Sequence, residues 1–92
     1  MEIKTTYSAD GARTDIIKFS SEENKAIDDA IMIIKNRCIE AGYPDDYKNW
    51  DDERFRLLGI MRFEGGVDAV LRFANTAEIL PYKPNNAIRA YA

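Results

Sequence analysis

The stretch DERFRLLGIMRFEGGVDAVLRFAN, residues 52–75, carries four arginines in a largely apolar run. Arg54, Arg62 and Arg72 are the ones that could do chemistry. A guanidinium presents a rigid fork of donors that matches a carboxylate or a phosphate. Each of the three must therefore pair with a carboxylate of the chain or hold an anion. Asp68 and Arg72 have the i,i+4 spacing of an ordinary helical ion pair, worth about 0.2–0.5 kcal/mol. Five tyrosines and one tryptophan add flat faces on which a nucleobase can stack. Cations and aromatic rings together suit a small ligand built of phosphates and bases.

Other chemistries are excluded by residue type. Histidine is absent, which removes the commonest general base, His-dependent triads and most zinc sites. Cys38 is the only cysteine, so no disulfide closes within the chain. EGGVDA, residues 64–69, carries the glycine pair of diguanylate cyclases, but it falls in a helical pattern, and those enzymes need a strand hairpin in a much larger domain. No enzyme activity, metal or cofactor is expected. The formal charge of −3 and a pI near 4.9 lack the basic footprint of a nucleic-acid polymer binder. A few local arginines can still hold a small anion. No run of about 18 apolar residues suits a membrane span, and no secretory apolar region opens the chain. The expectation is a reduced, soluble, cytosolic protein.

The elements that must position these groups are few. Ninety-two residues predict one small domain whose core alone is marginal. Met1–Phe19 reads as extended: Ile3, Thr5 and Tyr7 alternate, ADG marks a turn, and Ile16–Phe19 is apolar. It is either a short β-hairpin or an ordered arm. Ser20 with Glu23 spells a capping box, and Ile27, Ile31, Ile34, Cys38 and Ala41 recur at helical steps. Gly42 and Pro44 supply the stop, so the first helix covers about 21–41. A polar turn comes next, in which Asn49 or Asp51 caps a second helix over about 50–77. Pro81 and Pro84 end regular structure, and 87–92 is a tail. The predicted fold is mainly α: an antiparallel helical hairpin (20–80) with an extended N-terminal arm (1–19) and a C-terminal tail (81–92).

At about 100° per residue the second helix separates into stripes. Arg56, Ile60, Phe63, Val67, Leu71 and Ala74 form the expected face for the first helix. Phe55, Gly59, Arg62, Gly66, Ala69 and Phe73 lie to one side, and Arg54, Leu58, Met61, Gly65, Asp68 and Arg72 beyond them. Each glycine inside a helix costs about 0.5–1 kcal/mol relative to alanine, so Gly59, Gly65 and Gly66 need a reason. Small residues on one face let a second backbone approach closely, which predicts a homo-oligomer. The alternative is a groove filled by the chain's own first helix.

Asp52, Arg54, Phe55, Gly59, Phe63, Glu64, Gly66, Ala69 and Arg72 give the pattern D-x-R-F-x-x-x-G-x-x-x-F-E-x-G-x-x-A-x-x-R. This resembles the phage anti-CBASS cyclic-nucleotide sponge family, whose helical-hairpin domain is shared with a Thoeris-inhibiting sponge family. Tryptophan or a similar aromatic is usual there at Phe55, and leucine and glutamine at Phe63 and Glu64. The resemblance covers roughly residues 19–76 and includes the capped, Glu- and Ile-rich first helix. It implies a homohexamer that sequesters cyclic dinucleotides such as cGAMP, and cyclic trinucleotides in separate pockets, without cleaving them. The implied setting is the cytoplasm of an infected bacterium. Arg72 matches the family's trinucleotide-phosphate arginine. The dinucleotide site there uses a tyrosine before the first helix and a lysine on it, where this chain has Ile16 and Ile31; Tyr7 and Lys35 are the candidate substitutes. The expected ligand-binding set is Tyr7, Lys18, Lys35, Arg54, Arg62 and Arg72. The rival expectation is a small acidic protein that binds and inhibits a host defence protein through an open face of carboxylates.

Overall fold

The alternation at the N-terminal end builds a hairpin. In the computed structural model, which describes residues 1–83, strand β1 (Glu2–Tyr7) pairs antiparallel with β2 (Arg13–Lys18). The register runs from Glu2 opposite Lys18 to Tyr7 opposite Arg13. Small polar residues close the loop: Ser8 N–H donates to the Ala12 carbonyl at 2.9 Å, and the Asp10 carboxylate accepts from Ala12 N–H at 3.2 Å. β1 is exposed throughout, and in β2 only Asp15 and Ile17 are half-buried. One face of the hairpin therefore leans on the rest of the molecule. The chain is mixed rather than purely helical, and the tail expected at 87–92 lies outside the described residues.

Helix α1 (Ser21–Glu40) starts where the capping box places it. Glu23 N–H donates to Ser20 Oγ at 3.1 Å, and Ser20 N–H donates to Glu23 Oε1 at 3.0 Å, so two orphan donors are satisfied reciprocally. Its buried face is Ala26, Ile27, Ala30, Ile34 and Cys38, while Ile31 is half-buried and Ala41 exposed. The helix ends at Gly42, whose φ of +100° an L side chain rarely adopts. Tyr43 N–H then reaches back to the Cys38 carbonyl at 3.0 Å, the long closure of a Schellman-type cap.

The second helix differs from expectation. Helix α2 (Asp51–Ile60) passes into a π-helical turn, Met61–Gly65, and then into a separate helix α3 (Gly66–Thr76). Asn49 supports the start of α2, its Oδ1 accepting from Asp51 N–H at 3.1 Å, although Trp50 occupies the capping position itself. The continuous helix expected over 50–77 does not form. Gly65 has φ +133° and Gly66 has φ +74° with ψ −149°, and the latter is a region that only glycine occupies without strain. Gly66 N–H bonds the Met61 carbonyl, the same closure that ends α1.

The chain doubles back at this point. Arg62 bonds Asp15 of β2, beside the start of α1, whereas the Ala74 carbonyl accepts from Arg37 near the end of α1. Three helices therefore pack in place of the expected two-helix hairpin. The reversal also resets the helical phase. The buried side chains of α2 and its π-turn are Glu53, Leu57, Ile60 and Met61; those of α3 are Ala69, Val70 and Ala74. Of the stripe expected to face α1, Ile60 and Ala74 are buried, but Phe63 is 73 % exposed. A stripe drawn through one straight helix cannot continue across a reversal.

The close-approach role expected of the glycines is corrected accordingly. Gly65 and Gly66 serve the backbone turn, and Ala69 is buried within its own chain. Of the three glycines, Gly59 alone has no positive φ, and a Cβ added there meets nothing within 4 Å. The groove is not filled by α1. Gly59→Ala should therefore raise stability by about 0.5–1 kcal/mol in urea unfolding at unchanged m. A loss of stability that grows with protein concentration would instead mark Gly59 as a contact between copies.

Candidate functional site

The six expected ligand residues lie apart in one copy. Tyr7 and Lys18 occupy opposite ends of the hairpin, Tyr7 being 69 % exposed. Lys18 lines a shallow recess of about 130 Å³ with Met1, Glu2, Phe19 and Ser20. Lys35 is half-buried on α1. Arg54 is taken by Asp28 of α1 in an ion pair. Arg62 donates to Asp15 at 2.9 Å, and its guanidinium lies over the Phe63 ring at 4.7 Å. Arg54 and Arg62 therefore act as ties between elements.

The Asp15 tie has a measurable pH signature. Hydrogen bonds from Arg13 first, then Thr5 and Arg62, hold its carboxyl at about 2, below the ordinary 3.8. A carboxyl whose folded pKa is depressed contributes fully above its unfolded value and loses that contribution as pH falls through the folded one. The hairpin should thus stay tied to the π-turn from neutral pH down to about 4, and release between about 4 and about 2. Carboxyl carbon shifts of Asp15, tracked by NMR, check this. A midpoint near the ordinary value would show that the three donors do not hold the group in solution.

Arg72 is different. It lies exposed on α3 and lines a cleft of about 220 Å³ between α2 and α3, with Ile60, Glu64, Ala69, Phe73 and Thr76. Ile60, Ala69 and Phe73 give the cleft an apolar floor, and Glu64 enters from the π-turn. The Asp68–Arg72 ion pair expected from spacing does not form; among the described residues neither Arg72 nor Glu64 closes an ion pair. Phe73 also receives the Arg56 guanidinium at 4.9 Å. Comparison with family models, curated proteins and solved structures returns no match to this chain. Sequence reasoning misses Glu64, Phe73 and Thr76 as partners of Arg72. The available signal is the Gly-Gly pair, which brings residues on its two sides together once it is read as a turn.

A second constellation follows the end of α1. Tyr43 packs edge-on against Tyr47 and Tyr82, at 4.7 and 5.0 Å, and Tyr47 against Trp50 at 6.2 Å. Tyr43 Oη donates to the Leu80 carbonyl at 2.8 Å, fastening the segment after α3. Beneath the rings Lys48 pairs with Glu53, whose side chain is buried. These aromatics are engaged with one another. Among the described residues no cluster of His, Cys, Asp and Glu could hold a metal, and no helix is long and apolar enough to cross a membrane.

Proposed function

We propose that this chain is a non-catalytic binding protein that sequesters cyclic oligonucleotides, cyclic dinucleotides such as cGAMP and cyclic trinucleotides, and so blocks CBASS effectors. Arg72 carries the reading: a guanidinium with no counter-ion among the described residues, in a cleft whose apolar floor includes the Phe73 ring. Such a group binds phosphate through charge-assisted hydrogen bonds, and the apolar lining accepts a ring. The cleft is smaller than the roughly 300–1,000 Å³ usual for a whole ligand. It takes one nucleotide of the ring, and the remainder reaches a second copy. The exposed Phe55 and Phe63, 78 % and 73 % accessible, support association of copies through α2 and the π-turn. A symmetric oligomer then presents each cation more than once to a ring of repeating phosphates.

A second reading, a protein-binding inhibitor, is favoured by exposed Asp45, Asp46, Asp51 and Asp52 around the turn into α2. Calorimetric titration with a panel of cyclic di- and trinucleotides separates the two. Arg72→Ala should weaken binding of a cyclic trinucleotide by about 1.5–3 kcal/mol with the fold intact, as read by circular dichroism. Ligand recovered intact from the heat-denatured complex supports sequestration. Linear product, or no binding by any member of the panel, favours the second reading.

A further inference from the structure

We propose that Glu64 makes this cleft selective for guanine, an inference that rests on the cyclic-nucleotide reading above. Glu64 and Arg72 line one cleft from its two walls, Glu64 from the π-turn and Arg72 from α3, above the apolar floor of Ile60, Ala69 and Phe73. An arginine alone would recognise any phosphate. A carboxylate in the same cleft is unfavourable to an anionic ligand unless the ligand also brings hydrogen-bond donors.

Guanine brings them. Its N1–H and 2-amino group are adjacent donors, and an ionised carboxylate is an acceptor at both oxygens, so the pair closes with two parallel hydrogen bonds. Adenine offers an amino donor beside N1, a bare acceptor, which sets a lone pair against a carboxylate oxygen. Cytosine has the same mismatch at N3. The geometry divides the work: Arg72 holds phosphate, the floor carries the ring face, and Glu64 reads the base edge. Glutamine at this position would behave differently, because an amide has one donor and one acceptor and can match adenine as well.

The test uses the full chain and two probes, cyclic tri-GMP and cyclic tri-AMP, titrated calorimetrically into the wild type and Glu64→Gln. The wild type should bind the guanine ligand roughly ten-fold to a hundred-fold tighter. In E64Q that ratio should collapse or invert, because the adenine ligand gains while the guanine ligand loses. Glu64 is exposed, so the substitution leaves the fold unchanged, and circular dichroism checks it. A third probe, cyclic tri-IMP, lacks the 2-amino group and should bind between the other two. Equal affinities in the wild type, or a ratio untouched by E64Q, would overturn the role of Glu64 while leaving sequestration standing. Absence of binding by all three, and by the cyclic dinucleotides, would overturn both.

Discussion

Lys48→Ala should destabilise the protein by about 3–5 kcal/mol, more than any other single change away from the apolar core. Glu53 is 7 % exposed, its Oε1 is held by Lys48, and its Oε2 is buried without a hydrogen-bond partner. The ammonium lies 6.0 and 5.6 Å from the Tyr47 and Trp50 ring centres, so the pair is roofed by aromatic surface. Removing the cation leaves a carboxylate that water reaches poorly and that no other positive group among the described residues pairs with. The loss comes from the group left behind. Replacing both partners, Lys48→Met with Glu53→Leu, should therefore recover most of the stability or exceed it. Urea unfolding of the single and double variants measures the difference. If the two are equally destabilised, the ion pair is solvated and its burial does not set the cost.

The next largest effect is expected at the reversal between α2 and α3. Gly65→Ala with Gly66→Ala places two side chains at backbone angles of φ +133° and +74°. Each strained residue costs about 1–3 kcal/mol, so the double variant should lose roughly 2–6 kcal/mol. The two sites are adjacent, and their effects need not add. Crowding is not the cause: a Cβ at Gly66 meets nothing within 4 Å, and one at Gly65 only the Ala69 methyl at 3.4 Å. The double variant also has good helix formers on both sides, so an uninterrupted helix becomes its favoured alternative. Helical ellipticity that holds or rises while thermal stability falls would show this. Unchanged stability would mean that the reversal is not required.

Legibility in the sequence tracks the range of the interaction. The Ser20–Glu23 box, the ADG loop and the Gly42 stop involve groups a few residues apart, and each is readable locally. Gly42 and Gly65 end their helices with the same closure, yet only Gly42 is legible as an end. The difference lies in the residues after each glycine. Pro44 forbids a helix from continuing, whereas VDAVLRFAN resumes apolar periodicity at once and disguises the stop. From that one disguise the other discrepancies arise: the phase of the buried face and the apparent glycine seam. Arg54 and Arg62 are legible as cations that need partners, but their partners lie 26 and 47 positions away. Nothing local names Asp28 or Asp15. Arg72 is legible as a candidate phosphate ligand, while its cleft companion Glu64 is not, because their proximity exists only after the chain has turned.

The lone thiol carries a consequence for watching this molecule open. Cys38 is completely buried on α1, and burial pushes its thiol pKa upward, so the reactive thiolate is scarce in the folded state. A thiol reagent meets the sulfur only after α1 has parted from the helices around it. The native chain therefore contains its own clock for that separation, with a single labelling rate and no competing cysteine to subtract. Added ligand that fastens α2 and α3 together slows the clock, and the slowing reports occupancy without any probe attached to the cleft.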